Sequence, residues 1–159
     1  MPNEKRLAVL ATTPRVWPHL SVENVTPGLI ELCRDWITPD MVLVEIGCFS
    51  GVSTEVFANF AKTVYAVDPW TLAIDTGYRE VDPDMLVKAE RAFLEMAKGY
   101  QNIVRIQDFS GYASESFGNG TLDAVYIDGD HSKESLATDF ASWLPKLKRT
   151  GLLMGHDWS

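Results

Sequence analysis

Residues 41–47, Met-Val-Leu-Val-Glu-Ile-Gly, are apolar at nearly every position. A continuous apolar run of this length reads as a strand buried on both faces. Four more runs share the character: 63–68 (TVYAVD), 102–107 (NIVRIQ), 122–128 (LDAVYID) and 151–157 (GLLMGHD). Helical spacing separates them. VSTEVFANFAK (52–62) predicts one helix, and a polar stretch through Asp84 leads to a second, marked by Leu86, Ala89, Phe93, Leu94 and Ala97 with Gly99 as its stop. A short helix is expected near 111–117, and Leu136, Phe140, Trp143, Leu144 and Leu147 give the clearest amphipathic stripe. Ahead of the first strand, Leu29, Leu32, Cys33, Trp36 and Ile37 form one stripe, opened by the cap-and-proline pair Thr26-Pro27 and closed before Pro39. Residues 1–25 show weak periodicity and hold Pro2, Pro14 and Pro18, so a loosely ordered lead-in is expected before a domain spanning 26–159.

Strands of this kind, separated by helices, predict an α/β fold with a parallel sheet covered on both faces. Ligands of such sheets sit at the carboxyl ends of the strands, near the switch in strand order. The polar residues that end each run are therefore the candidates for function.

Composition narrows the classes. With 159 residues the chain is expected to be one domain with one substantial core. A formal net charge of −8 argues against a nucleic-acid backbone as the main partner, because phosphates want clustered Lys and Arg. No apolar run approaches the roughly 20 residues of a membrane span, and the longest near the N-terminus, Leu7 to Ala11, is too short for a signal-peptide core. Cys33 and Cys48 make no dense framework, so reduced thiols in a cytoplasmic protein are expected.

At the exit of the first strand, VEIGCFSGVS places Glu45, Gly47 and Gly51 before a helix. Glycines there let the backbone turn tightly and approach a ligand. The pattern is E-x-G-x-x-x-G rather than the dinucleotide fingerprint G-x-G-x-x-G. Glu45 would repel a pyrophosphate and suits a cationic ligand group, which counts against a nucleotide-binding oxidoreductase. Asp68 closes the second strand 23 positions after Glu45. An acid there commonly accepts ribose hydroxyls, although an Asp ending a strand also serves as a turn former.

VEIGCFSGVS followed by YAVDPW resembles the first two motifs of class I S-adenosylmethionine-dependent methyltransferases, and IDGDHS and GHDW extend the likeness to the bacterial small-molecule O-methyltransferase branch, which includes macrocin-type enzymes and is related to catechol O-methyltransferase. The resemblance covers about residues 40–158. It implies a Rossmann-like, doubly wound sheet in the order 3-2-1-4-5. Glu45, Gly47, Phe49 and Gly51 would then surround the methionine end of S-adenosylmethionine, and Asp68 would hold the ribose diol. Pro69 and Trp70 would flank the adenosine, and Asp108, Phe109 and Ser110 would contact the adenine. Simple core or lid packing is the competing explanation for Trp70 and Phe109.

YIDGDHSKESL gathers Asp128, Asp130 and His131. Asp-Gly is a turn, and Asp130 or Ser132 can cap the next helix. The functional alternative needs converging groups, and Asp157 on the neighbouring fifth strand would supply one. Methyl transfer to a hydroxyl requires alignment and proton removal. An imidazole suits a base at neutral pH, and a divalent ion lowers a hydroxyl's pKa. The resemblance implies Asp128 and Asp157 as ligands of Mg²⁺, with Asp128 also near the cofactor, and His131 as general base. His156, beside Asp157, leaves a metal-free site open, with either histidine as base. The expected acceptor is a small-molecule hydroxyl rather than nucleic acid or membrane.

Members of that family usually continue past the fifth strand with a helix and an antiparallel hairpin. The resemblance therefore implies a domain short at its C-terminus, with an exposed fifth-strand edge that invites a second copy. A cofactor-binding module that binds S-adenosylmethionine without turnover is the alternative expectation.

Overall fold

The apolar run at 41–47 becomes β1 (Val42–Ile46), buried at all but its first residue. The computed structural model describes residues 1–12, 26–71 and 83–156. β1 pairs in parallel with β2 (Thr63–Val67) on one side and β4 (Leu122–Ile127) on the other. β3 (Ile103–Ile106) lies outside β2 and β5 (Leu147–Gly155) outside β4, both parallel, giving the order β3-β2-β1-β4-β5. This is the five-stranded sheet that the sequence predicts. The order reverses between β1 and β4, so the ligand crevice of the fold opens where those two strands end.

Because side chains alternate along a strand, β1 sorts its residues between two cores. Leu43 packs with α2 (Thr26–Trp36) and α3 (Val52–Ala58), in a cluster that includes Ile30, Cys33 and Phe57. Val44 and Ile46 face the opposite core, with Ala113 of α5 (Ser110–Ser114) and Trp143 of α6 (Lys133–Trp143). A third cluster joins Cys48, Ala66 and Trp70 to Ala89 and Phe93 of α4 (Pro83–Ala97). Glu45 falls on the Leu43 side of β1, beneath α3.

Two expectations need correction. The lead-in is not loosely ordered throughout: Glu4–Thr12 form α1, and Leu7 and Leu10 enter the core at 1% and 4% exposure. Nine residues are too few for a stable isolated helix, so docking must supply its stability. Arg6 supplies part of it, donating through Nε and Nη2 to Glu55 Oε1 and Oε2 of α3, each at 2.7 Å. The unbroken run Leu7 to Ala11 hides this helix, because it shows no periodic stripe. Residues 13–25 lie outside the described residues.

The second correction concerns β5, which starts at Leu147 rather than 151. α6 ends at Trp143, a 3₁₀ turn with Pro145 follows, and the pairing then jumps from Leu122↔Leu147 to Ala124↔Leu152. The polar LKRTG segment bulges there. Gly151 is what fits, since a Cβ would sit 2.9 Å from Leu147 Cδ2 and 3.0 Å from the Lys148 carbonyl oxygen. Among the described residues, no helix is long and apolar enough to cross a membrane.

Candidate functional site

At the end of β1 the chain turns through Gly47, whose φ is +84° and whose N–H donates to the Val67 carbonyl at 2.9 Å. A Cβ on Gly47 would lie 2.3 Å from the Asp128 carbonyl oxygen and 2.6 Å from Gly129 Cα. The ends of β1 and β4 therefore approach backbone to backbone, closer than any side chain allows. Gly51, with φ +85°, precedes α3, and a Cβ there would meet the Met96 and Phe93 side chains. Glu45 and Thr54 are both fully buried, and the Thr54 hydroxyl donates to Glu45 Oε2 at 2.5 Å. The acid of the first motif thus lies beneath the turn, held by the helix that the turn starts. Cys48 is buried beside it, and burial pushes its thiol well above the ordinary range, which makes it a poor nucleophile.

Asp68 joins the loops that follow β1 and β2. Its Oδ2 accepts the Phe49 N–H at 2.9 Å and its Oδ1 the Trp70 N–H at 2.7 Å, while the Trp70 indole N–H donates to the Phe49 carbonyl at 2.8 Å. Phe49 and Trp70 have φ of 46° and 45°, a region non-glycine residues rarely adopt. The three hydrogen bonds hold both residues there. Burial raises the Asp68 pKa, opposed by the Trp70 and Phe49 N–H groups and by Arg105. The Trp70 ring is 5% exposed and belongs to the third core cluster, between Phe93 and the guanidinium of Arg105. Pro69 beside it is half-buried.

At the end of β3, Asp108 Oδ1 accepts the Phe109 N–H at 2.8 Å, and the Phe109 side chain is partly exposed. The Ser110 hydroxyl is used internally: it donates to Asp139 and accepts the Trp143 indole N–H at 2.8 Å, tying α5 to α6. Asp139 is buried, and that burial raises its pKa.

The fourth and fifth strand ends meet as the sequence expects. Asp128 Oδ1 lies 3.7 Å from His156 Nδ1 and 4.0 Å from His131 Nε2. Asp128 is mostly covered, and both imidazoles are partly exposed at 32% and 41%. Asp130 does not join them; it accepts from the Ser132 N–H at 2.9 Å and the Ser135 hydroxyl at 2.7 Å, which fixes the start of α6. Asp157 lies outside the described residues. Among the described residues Asp128 lies within 4.0 Å of two imidazoles, and these residues hold no cluster of three or more metal-binding side chains. Mg²⁺ prefers oxygen ligands; of the carboxylate pair expected to hold it, Asp128 alone is among the described residues.

Thr54, Asp139 and Arg105 were not singled out by sequence. Arg105 carries a signal that was available: a lone cation inside the apolar run NIVRIQ needs partners.

A family model described as a methyltransferase domain matches residues 44–158, from within β1 to beyond β5. No curated protein matches the chain. Among solved structures, a precorrin-8w decarboxylase of Methanobacterium thermoautotrophicum superposes with a TM-score of 0.60 at 19% identity, covering 86% of this chain and 64% of its own. An rRNA methylase of Streptococcus thermophilus gives 0.56 at 17% identity, with 81% and 69% covered. A Streptococcus mutans protein in complex with SAH gives 0.56 at 13%, with 84% and 73% covered. At such identities the likeness shows the fold alone, and the chain spans less than two thirds of the first of these proteins. The family match covers well over half of the sequence and contains every strand-end residue described above: the chain belongs to the methyltransferase-domain family.

Proposed function

We propose that this domain binds S-adenosylmethionine over the ends of β1 and β2 and directs methyl transfer to a small-molecule hydroxyl held near Asp128. One observation carries the proposal: Asp68, bonded to both strand-end loops, and Asp128, flanked by two imidazoles, stand at carboxyl ends of strands in a methyltransferase-family sheet.

The residues suit that ligand. A carboxylate has about four acceptor positions. The Phe49 and Trp70 N–H groups occupy one on each oxygen of Asp68, which leaves two for a pair of vicinal ribose hydroxyls. Asp68 and Asp128 make the strand ends anionic, favourable to a sulfonium and an ammonium. When bound, the ligand supplies an activated methyl group that passes to the acceptor oxygen as the carbon–sulfur bond breaks. Residues of the chain have to orient the hydroxyl and take its proton. His131 and His156 are the candidate bases, and Asp128, within 4.0 Å of each, stabilises whichever imidazolium forms.

A small-molecule acceptor is favoured over RNA by the net charge of −8, although an rRNA methylase shares the fold. SAH production from S-adenosylmethionine, followed with catechols, sugars and a structured RNA as acceptors, tests this. Turnover with a hydroxyl compound, reduced at least about tenfold in Asp128→Ala as expected for loss of acid–base assistance, supports the proposal. Turnover with RNA alone would overturn its acceptor class.

A further inference from the structure

We propose that Arg105 is a positioning residue for the diol-binding carboxylate: its guanidinium clamps the Trp70 indole, and through Trp70 it fixes Asp68 and Phe49 for two vicinal hydroxyls of a nucleoside. The nucleoside identity rests on the S-adenosylmethionine proposal above.

Four elements meet at this clamp. Arg105 is on β3, paired in register with Ala66, two residues before Asp68. Its guanidinium carbon lies 4.6 Å from the Trp70 ring centroid, within cation–π range. Nη2 donates to Glu90 of α4 and, at 2.8 Å, to Gln107. Arg105 Nε is buried with no acceptor among the described residues. A buried donor left in that condition costs stability, and an aliphatic side chain would fill a strand position at less cost. The arginine is therefore better explained by what it holds than by packing.

What it holds is a strained pair. Phe49 and Trp70 both have positive φ, and such conformations persist only where the surroundings over-determine them. Trp70 contributes two of the three bonds in the ring, one to Asp68 and one to Phe49. A cation over the indole face resists its rotation and also favours the ionised carboxylate, the form with all acceptor positions available. Glu90 opposes this charge effect and at the same time anchors the guanidinium. Without the clamp, Trp70 is free to relax toward ordinary φ, and both Asp68 oxygens lose their fixed aim.

The test compares Arg105→Lys and Arg105→Gln with the wild type by two readouts. The first needs no ligand: hydrogen exchange of the Trp70 indole N–H by NMR, with the Trp143 indole N–H, bonded to Ser110, as internal control. Arg105→Gln is expected to speed exchange at Trp70 about tenfold, the scale of coupling between contacting residues, and to leave Trp143 unchanged. The second is calorimetric affinity for SAH and for its 2′,3′-dideoxy analogue. Arg105→Gln should weaken SAH about tenfold and the dideoxy analogue hardly at all, with Arg105→Lys in between, since it keeps charge but not the flat stack. Unchanged Trp70 exchange, equal acceleration at Trp143, or equal loss for both ligands would overturn the clamp. If the wild type binds no SAH, the S-adenosylmethionine proposal falls instead, and the indole exchange still decides the clamp.

Discussion

Replacing Gly47 by alanine tests the closest approach in the site. The new Cβ would meet the Asp128 carbonyl oxygen at 2.3 Å, its carbonyl carbon at 2.6 Å and Gly129 Cα at 2.6 Å. All three are backbone atoms, so no rotamer change relieves the contact. Ordinary van der Waals contact begins near 3.4 Å, so the end of β4 would have to withdraw by roughly 1 Å, a shift that puts the Asp128 N–H bond to Ile46, at 2.9 Å, at risk. Three costs add. A non-glycine residue at φ +84° costs about 1–2 kcal/mol, overpacking about 1–3 kcal/mol, and one lost backbone hydrogen bond about 1 kcal/mol. The expected destabilisation is about 3–6 kcal/mol, measured as a fall in the urea midpoint at constant slope. Gly28→Ala in α2 is the control, because nothing lies within 4 Å of its Cβ position; it should stabilise by up to about 1 kcal/mol. A Gly47→Ala variant within about 1 kcal/mol of wild type would refute the close approach of β1 and β4.

Three further outcomes are expected. Arg6→Ala removes the cation from Glu55, whose side chain is 7% exposed and keeps the Tyr100 hydroxyl at 2.7 Å, and should cost about 2 kcal/mol in urea unfolding, below the usual 3–5 because that bond remains and Arg6 itself is 43% exposed; an unchanged midpoint would mean that α1 does not brace α3. Thr54→Val removes the bond to buried Glu45 and should cost about 2 kcal/mol, with Thr54→Ser close to wild type; equal losses in the two variants would show that the hydroxyl is not what matters. Asp139 has its pKa raised from 3.8, foremost by burial, so the native state holds that proton more tightly than the unfolded chain. Its contribution is fully present below about pH 4 and is lost as pH rises through the raised value. Asp139→Asn cannot ionise and still accepts from Ser110, so its thermal midpoint should gain on wild type between acid and neutral pH; a constant difference would contradict the linkage.

The strands were legible because each holds an apolar run ended by polar residues, and the central ones, β1 and β4, are buried almost throughout. α1 was not, since its run Leu7 to Ala11 lacks a stripe and its stability comes from docking: Leu7 and Leu10 in the core and Arg6 meeting Glu55, 49 positions away. The start of β5 was hidden by polar LKRTG, whose bulge depends on Gly151 packing against neighbours rather than on local propensity. At the candidate site, the strand-end acids and the nearness of Asp128 to His131 are readable from position; the sequence sets Asp157, outside the described residues, opposite Asp128, and the structure sets His156 3.7 Å from it. The bonding of Asp68 to two backbone N–H groups was not, because it requires left-handed backbone at Phe49 and Trp70, residues without such a preference. For Trp70 the structure shows the core packing that competes with an adenosine contact, and the Ser110 hydroxyl bonds Asp139 and Trp143, partners that no local pattern announces.

Calorimetric titration with SAH is the most direct test of the proposed donor site, with NAD⁺ as the control ligand. The wild type should bind SAH and not NAD⁺, and Asp68→Ala should weaken SAH by about 1–3 kcal/mol, the scale of hydrogen bonds to a charged group. A folded wild-type protein that takes up no SAH, or an Asp68→Ala variant that is folded and binds it undiminished, would contradict the assignment.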